Sequence, residues 1–203
     1  MAKRLVLVRH GRLGANYIGR LIGATDLSLD AVGQQQRQAL ARRLARWSPE
    51  MCFCSPMQRC RQMAALVAPD LPPQLDADLR EIDFGRWEML TLAEAAADNP
   101  SLLDRWAEMD LDCRFPGGET VGGFLDRVRA AAERLIHAQA ETVLAVTHGG
   151  VIRMMLCHLL GLAPRQYLAF DVPYAVTVVI DLFDGKGVLA ALERPEPAED
   201  AHG

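Results

Sequence analysis

Two histidines end two similar short phrases of the sequence. Residues 5–11 read LVLVRHG and residues 143–149 read VLAVTHG. Each apolar run predicts a buried β-strand, and the glycine after each histidine lets the chain turn away closely. Because open α/β sheets bind ligands at the carboxyl ends of their strands, we expect His10 and His148 to meet at one binding edge.

Arg9 directly precedes His10, and this pair suits phosphate chemistry. A guanidinium binds phosphate oxygens through its planar fork. Its charge also lowers the pKa of a neighbouring imidazole, which frees a ring nitrogen to attack phosphorus. For an isolated Arg-His-Gly tripeptide the commoner explanation is a structural histidine beside a surface arginine, so the interpretation depends on further motifs.

Further short blocks follow this pair in a fixed order. They are Asn16, Arg20, Gly23, Asp26, Leu29 and Gly33 after the first histidine, SPMQR at 55–59, LRE at 79–81 with GRWE at 85–88, PGGE at 116–119 and THGGV at 147–151. In order and spacing the blocks resemble the histidine phosphatase superfamily, in its phosphoglycerate-mutase-like branch, from residue 5 to about residue 192. The run FGRWEM at 84–89 and the PGGE turn are most similar to the bacterial α-ribazole phosphatases.

Phosphoryl transfer spreads negative charge over three equatorial oxygens, so a site without a metal needs several rigid donors around the phosphate. Arg9, Arg59 and His148 can supply these donors. Arg59 also lies near the positive end of a helix that Ser55-Pro56 is predicted to open. The resemblance implies that His10 is the nucleophile.

Four further residues are predicted to border the substrate. The resemblance implies that the amide of Asn16 reaches a phosphate oxygen, and Gly11 and Gly149 follow the two histidines at the sheet edge. Arg12 and Leu13 replace the Glu-Thr pair that many relatives carry, so a threonine hydroxyl is missing. Arg12 then either holds a second anionic group of the substrate or points to solvent.

The leaving alkoxide needs a proton, and a carboxyl group beside a dianionic phosphate keeps its proton up to neutral pH. Glu81 is the first candidate because it lies in a segment predicted to be irregular, and by resemblance it matches the acid of the family. Asp83, Glu88 and Glu119 are competitors. Glu88 is better explained as structural, and Glu119 as the start of a helix, where a carboxylate is favourable.

Strands are predicted to alternate with helices along the chain. After the first strand the predicted elements are a helix from Asp30 to about 47, a strand at 51–54, a helix from 55 to a stop at 66–73, a strand at 74–79, helical segments over 91–109 with a break at Asn99-Pro100, a helix at 120–139, a strand at 142–147, a helix at 151–160 and a hairpin of 176–183 with 188–192. This alternation indicates an α/β three-layer sandwich: a mostly parallel central sheet, helices on both faces and a small helical cap insertion at about 85–120. Residues 1–194 are expected to form one domain, and the Pro- and Glu-rich tail 195–203 is predicted to be disordered.

The composition argues against several classes of function. A formal net charge of −4, with 22 Lys and Arg against 26 Asp and Glu, provides no basic field for nucleic acid. Five cysteines without CxxC spacing indicate buried thiols of a reducing compartment. No stretch approaches the roughly 20 apolar residues of a membrane span, so we expect a cytoplasmic protein. A zinc site at His10 and His148 lacks further ligands and would face Arg9, so no metal or other cofactor is expected.

The sequence thus predicts a metal-independent phosphomonoesterase that hydrolyses a small phosphorylated metabolite through a phosphohistidine, with α-ribazole 5′-phosphate as the candidate substrate. His148 follows Glu81 by only 67 residues, a shorter segment than in the mutases of the superfamily. A short cap leaves a phosphohistidine open to water, which favours hydrolysis over return of the phosphoryl group.

Two alternative functions stay open at this point. One is a bisphosphoglycerate-dependent phosphoglycerate mutase, and the other is a catalytically silent module that binds a phosphorylated metabolite. The protein is expected to be a monomer or a homodimer. Four aromatic residues either line a pocket for a base or benzimidazole ring or belong to the core, namely Trp87, Trp106, Phe115 and Tyr174.

Overall fold

A six-stranded sheet forms the centre of the protein in the computed structural model, which describes residues 3–195. The strands are β1 (Lys3–Arg9), β2 (Met51–Cys54), β3 (Gln74–Leu75), β4 (Thr142–Thr147), β5 (Thr177–Phe183) and β6 (Lys186–Glu193). They lie in the order β3-β2-β4-β1-β5-β6. The first four strands are parallel, and the hairpin of β5 and β6 adds two antiparallel strands beside β1. The prediction of a mostly parallel sheet is confirmed.

Helices pack against this sheet from both sides. They are α1 (Ala31–Ala45), α2 (Gln58–Val67), α3 (Leu92–Asp98), α4 (Pro100–Ala107), α5 (Val121–His137) and α6 (Gly149–Leu159). Short 3₁₀ helices cover residues 15–17, 77–79, 85–87 and 164–169. Asp30 caps α1 as predicted, because its carboxylate accepts a hydrogen bond from the backbone N–H of Gly33 at 2.7 Å.

Side chains alternate along β1 and divide the core into two halves. Leu5 and Leu7 pack with residues of α5 and α6 in one cluster, whereas Val6 and Val8 pack with residues of α1 and α2 in the other. All four side chains are fully buried. A strand that is covered on both faces produces this pattern, so the predicted three-layer sandwich is confirmed.

Helices α3 and α4 lie in the segment predicted as a helical cap. Thr91 and Glu94 form a reciprocal capping box at the start of α3. The break predicted at Asn99-Pro100 is confirmed, because Asn99 caps α4 and Pro100 is its first residue. Edge-to-face contacts join this segment to the core, through the rings of Phe84, Trp87, Trp106 and Phe115.

Several predicted boundaries are wrong, and three of them concern segments that lead to the histidines or to Glu81. Helix α2 begins two residues after Pro56, because Met57 is extended and occupies the cap position. The strand predicted over 74–79 covers only its first two residues, because a 3₁₀ helix capped by Asp76 follows. Helix α6 begins two residues earlier than predicted, directly after the extended residue His148.

Three further predictions concern membrane spans, thiols and the C-terminal tail. Within residues 3–195, no helix is long and apolar enough to cross a membrane. The five cysteines are buried and unpaired, as the sequence predicts. The predicted disorder of the tail concerns residues 195–203, of which 196–203 lie outside the described part of the chain.

Candidate active site

The carboxyl ends of β1 and β4 bring the two histidines together. The strands pair in parallel with Arg9 opposite Thr147, and the backbone N–H of His10 donates to the Thr147 carbonyl oxygen at 3.0 Å. The imidazole rings of His10 and His148 lie edge to face, with centroids 5.2 Å apart. Both residues are buried. One sheet edge therefore holds both histidines, as the two phrases of the sequence predict.

A single hydrogen bond fixes which nitrogen of His10 carries the hydrogen. Nδ1 lies 2.9 Å from the Gly11 carbonyl oxygen, which can only accept, so Nδ1 carries the hydrogen and Nε2 keeps its lone pair. Burial, together with the positive charges of Arg9 and Arg59, holds the pKa of His10 well below its ordinary value of 6.5. His10 therefore presents an unprotonated Nε2, as a nucleophile requires.

His148 has the opposite tautomer. The Nε–H of Arg59 donates to Nδ1 of His148 at 3.2 Å, so the ring hydrogen lies on Nε2, which donates to the Ser55 hydroxyl oxygen at 2.8 Å. Burial and the charge of Arg59 hold the pKa of His148 well below 6.5. His148 is therefore a neutral hydrogen-bond donor beside His10.

Arg9 contributes an unpaired buried donor to the site. Its Nη1 donates to the Val172 carbonyl oxygen at 2.6 Å, and its guanidinium lies 4.1 Å from the ring centre of Tyr174. Its Nε is buried and has no hydrogen-bond partner among the described residues. A β-carbon at Gly149 would lie 3.3 Å from this nitrogen. Buried donors are nearly always paired, so the unpaired Nε beside the start of α6 indicates a place for an anion.

Arg59 lies in the first turn of α2 and is fully buried. Besides its bond to His148, it donates from Nη1 to the Thr25 carbonyl oxygen and from Nη2 to the Gly23 carbonyl oxygen, each at 2.7 Å. Three of its five N–H groups are used in this way. Arg59 thus joins the second histidine to a loop at residues 23–25.

Glu88 holds the other side of the same loop. Its carboxylate accepts hydrogen bonds from the backbone N–H groups of all three residues at 23–25, from the Thr25 hydroxyl at 2.6 Å and from the Phe84 N–H. The sequence identifies Glu88 only as a structural competitor of the acid. Its connection to Arg59 through a loop some 60 residues earlier has no local signal in the sequence.

The carboxylate of Glu81 contacts the start of α6, directly after His148. Its Oε2 accepts the Gly150 backbone N–H at 2.8 Å, and its Oε1 accepts that of Ile82 at 3.1 Å. A β-carbon at Gly150 would lie 2.4 Å from Oε1, so only glycine leaves room for the carboxylate. The irregular segment predicted around Glu81 thus brings its side chain to the sheet edge.

The other competing carboxylates have different partners. Asp83 accepts the Gly85 backbone N–H at 2.8 Å, and Glu119 forms an ion pair with Arg127 at 2.6 Å. Glu81, by contrast, accepts the Gly150 N–H two residues after His148. Glu81 is therefore the best placed of the candidate acids.

An apolar cavity of about 480 Å³ opens beside Glu81. The cap, α5 and α6 form its wall, which includes Phe84, Leu103, Trp106, Phe124, Met154 and Tyr167. Arg153 adds a positive charge to the wall and donates from Nε to the Phe170 carbonyl oxygen at 3.0 Å. A leaving group protonated by Glu81 would enter an apolar space.

The four aromatic residues identified in the sequence divide between core and site. Trp87 and Phe115 are fully buried in the core, whereas Trp106 lines the cavity. Tyr174 lies against the His10 ring, with centroids 5.5 Å apart. Their sequence positions alone do not distinguish these surroundings.

Three residues predicted to bind substrate have other surroundings. Arg12 forms an ion pair with Asp30 at 2.7 Å, at the N-terminus of α1, and its side chain is 32% exposed, so its contact with a second anionic group stays a prediction. Asn16 is exposed on the 3₁₀ helix at 15–17, and its reach to a phosphate oxygen stays a prediction. Gly11 packs against α1, where a β-carbon would come within 2.8 Å of the Gly33 carbonyl oxygen.

The chain is similar over most of its length to proteins named as phosphatases. The chain is 31% identical over 183 residues to the adenosylcobalamin/alpha-ribazole phosphatase of Escherichia coli, covering 88% of this chain and 90% of that protein. It is 29% identical over 192 residues to phosphoserine phosphatase 1 of Hydrogenobacter thermophilus, covering 93% and 91%. The solved alpha-ribazole phosphatase of Shigella flexneri superposes with a TM-score of 0.84 at 28% identity, covering 95% of this chain and 96% of that one.

The length of the match differs among relatives. The chain spans only 34% to 43% of four other curated proteins, to which it is 33% to 40% identical. The model of the histidine phosphatase superfamily (branch 1), by contrast, matches residues 5–194 of this chain. That match includes both histidines, the arginines at 9 and 59 and the candidate acid. The protein belongs to the histidine phosphatase superfamily, branch 1.

Proposed function

We propose that this protein hydrolyses phosphomonoesters in two displacements at one phosphorus atom. In the first, the lone pair of His10 Nε2 forms an N–P bond while the P–O ester bond breaks in line with it. Glu81 gives its proton to the leaving oxygen, which departs as an alcohol. Arg9 and Arg59 donate hydrogen bonds to the equatorial oxygens as charge develops there, and His148 does so when its Nε2–H exchanges the Ser55 hydroxyl for a phosphoryl oxygen.

The second displacement returns the enzyme to its starting state. Glu81, now a carboxylate, takes a proton from a water molecule whose oxygen attacks phosphorus. The N–P bond breaks, its electron pair returns to His10 Nε2, and inorganic phosphate leaves. Glu81 is then protonated for the next turnover, so atoms and charges balance without a metal.

The observation that carries this proposal is the state of His10. Its Nδ1–H is held by the Gly11 carbonyl oxygen, its Nε2 is unprotonated, and its ring contacts Tyr174. The guanidinium of Arg9, whose buried Nε–H is unpaired, contacts the same Tyr174 ring. A nucleophilic nitrogen and a free buried donor in one site suit attack on an anionic phosphoryl group. A histidine held in the core for packing alone needs neither feature.

Trapping the phosphoenzyme tests the mechanism. Glu81→Gln enzyme mixed with ³²P-labelled p-nitrophenyl phosphate should release one equivalent of p-nitrophenolate in a burst and keep the label, because a good leaving group needs no acid whereas hydrolysis of the intermediate needs the base. The quench is an alkaline denaturant, since N–P bonds are labile in acid. The labelled peptide should contain His10, and label retained by His10→Ala enzyme would refute the proposal.

For the substrate, we propose a phosphomonoester whose leaving group carries an aromatic ring, with α-ribazole 5′-phosphate as the candidate. The cavity beside Glu81 supports this choice because its wall is largely apolar and includes Trp106 and Phe84. The likeness to alpha-ribazole phosphatases of two bacteria supports it as well. Phosphoserine, which has a small zwitterionic leaving group, would leave this apolar wall unused.

A substrate panel separates the candidates. We expect kcat/KM for α-ribazole 5′-phosphate to exceed those for phosphoserine and 3-phosphoglycerate by at least about tenfold, since burial of a ring is worth more than about 1.4 kcal/mol. Preference for phosphoserine would contradict the substrate proposal but not the mechanism. Isomerisation of 3-phosphoglycerate that depends on bisphosphoglycerate, with little phosphate released, would instead identify a mutase.

A further inference from the structure

Arg127, on α5, forms hydrogen bonds with the backbone of the segment that carries Glu81. Its Nη1 donates to the carbonyl oxygens of Asp78 and Arg80, at 2.9 and 2.5 Å, and its Nη2 donates to that of Glu81 at 3.0 Å. Its Nε and Nη2 also donate to the two carboxylate oxygens of Glu119, at 2.6 and 2.9 Å. A guanidinium has five N–H groups, and these five bonds use them all.

Glu119 forms hydrogen bonds with the same segment at a residue that follows Glu81. Its Oε2 accepts the Asp83 backbone N–H at 3.3 Å, and its own backbone N–H donates to the Asp83 carbonyl oxygen at 3.0 Å. The pair of Arg127 and Glu119 therefore holds the backbone at Asp78, Arg80 and Glu81 before the carboxylate and at Asp83 after it. The two side chains are only 13% and 21% exposed, so solvent weakens the pair less than it would at the surface.

No regular element supports this stretch of backbone. Residues 80–84 belong to neither a helix nor a strand, so the carbonyl groups of Arg80 and Glu81 lack partners in a ladder or a helical turn. Arg127 supplies donors to those groups from a neighbouring helix. The position of the Glu81 side chain then depends on α5 through Arg127.

We propose that Arg127 and Glu119 are positioning residues for proton transfer by Glu81, an inference that rests on the proposed function. A general acid must lie within hydrogen-bond reach of the oxygen that it protonates, and a displacement of about 1 Å costs on the order of 10²-fold in rate. Arg127 and Glu119 fix the backbone from which the carboxylate reaches both the Gly150 N–H and the leaving oxygen.

The same helix provides a matched control. Arg134 lies two turns after Arg127 and pairs with the carboxylates of Asp76 and Asp78, at 2.9 and 2.7 Å. It is 44% exposed and holds the beginning of the segment rather than the residues at Glu81. Arg134→Gln removes a comparable charge and a comparable set of bonds without touching the Glu81 backbone.

Two aryl substrates of similar shape give the readout. Phenyl phosphate has a basic leaving group that needs an acid, whereas p-nitrophenyl phosphate has a leaving group that does not. For Arg127→Lys and Glu119→Gln, we expect kcat/KM for phenyl phosphate to fall about 10- to 100-fold, and that for p-nitrophenyl phosphate to change less than about threefold. Glu81→Gln completes only one turnover, so its burst rate constants are compared instead, and they should give the same pattern in a stronger form. Arg134→Gln should leave both kcat/KM values near those of the wild type.

The outcomes separate a failure of the positioning role from a failure of the proposed function. An equal fall for both substrates, or no change, in Arg127→Lys and Glu119→Gln would overturn the positioning role while Glu81→Gln keeps its selective loss. If the burst rate constants of Glu81→Gln fall equally for both substrates, the acid assignment fails first and the inference with it. Melting temperatures are compared throughout, and Glu119→Gln decides the question if Arg127→Lys does not fold.

Discussion

At the scale of single residues, the two histidines differ although similar strands deliver them. His10 gives its Nδ1–H to a backbone carbonyl group, and His148 receives an N–H from Arg59 on the same ring atom. The first arrangement leaves Nε2 able to attack, and the second makes Nε2 a donor. Their different proposed roles thus follow from one hydrogen bond each.

Burial of these neutral rings predicts that the protein is less stable in acid. The pKa of each histidine is well below 6.5 in the folded protein, whereas an unfolded chain binds protons near 6.5. From about pH 6.5 down to the folded pKa values, the unfolded state therefore binds more protons and stability falls. Each histidine contributes a slope approaching about 1.4 kcal/mol per pH unit.

Urea unfolding at pH 7.5 and pH 5.5 measures this effect. Carboxylates such as Asp30, whose folded pKa is lowered by its bond to Arg12 against the opposing effect of burial, also destabilise the fold in acid, so the comparison needs a variant. We expect the wild type to lose at least about 1 kcal/mol more between the two pH values than His148→Gln does. Equal losses would mean that His148 is protonated in the folded protein.

At the scale of elements, loops between strands and helices hold the arginines of the site. The loop at 23–25 offers carbonyl groups to Arg59 and N–H groups to Glu88. A β-carbon at Gly23 would lie 1.7 Å from the Ile82 carbonyl oxygen, so the loop fits closely against the segment after Glu81. Two distant parts of the chain therefore orient Arg59, a proposed donor to phosphate.

We predict that Glu88→Gln weakens binding of phosphate more than it weakens the fold. An amide oxygen accepts fewer and weaker bonds than a carboxylate, so the loop and Arg59 become less fixed. The inhibition constant of inorganic phosphate and KM should rise roughly tenfold, which corresponds to about 1.4 kcal/mol. Steady-state kinetics with phosphate as competitive inhibitor provides the measurement.

Glu94→Gln is the control for this variant. Glu94 lies in the same part of the chain and accepts hydrogen bonds from Thr91 in the capping box of α3. It makes no contact with the loop at 23–25 among the interactions described. If both variants raise the inhibition constant alike, Glu88 has no special connection to Arg59.

At the scale of the whole molecule, the edge of the sheet carries the two histidines of the proposed mechanism. The cap forms part of the wall of the cavity proposed for the leaving group. The cavity lies where α4 and the segment after Glu81 approach α5 and α6. Ala107, the last residue of α4, lines this cavity and has an exposed side chain. The cavity can therefore be narrowed from its edge with little disturbance of the core.

We predict that Ala107→Trp lowers kcat/KM for aryl and α-ribazole phosphates about tenfold, because the indole occupies leaving-group space. Inhibition by inorganic phosphate should stay within about twofold, since phosphate has no leaving group. Ala97→Trp, an exposed position on α3 that does not line the cavity, serves as the control. A parallel loss of phosphate binding would place the effect at the histidines instead.

Much of this molecule can be predicted from short stretches of sequence. The apolar runs before His10 and His148 predict β1 and β4, and Asp30 and Asn99-Pro100 mark helix starts, because strand burial and helix capping depend on neighbouring residues. The boundaries at Met57 and at residues 76–79 are missed, since there a cap residue or a 3₁₀ turn competes with an equally plausible local pattern.

The sequence by itself determined which residues could carry phosphoryl chemistry and that two of them end parallel strands. Only the tertiary structure decided the tautomers of the histidines, the partner of Arg12, the link from Glu88 to Arg59 and the hold of Arg127 on the Glu81 backbone. Those features depend on hydrogen bonds between residues far apart in the chain. Residue spacing encodes periodicity within an element, whereas such bonds depend on how elements pack.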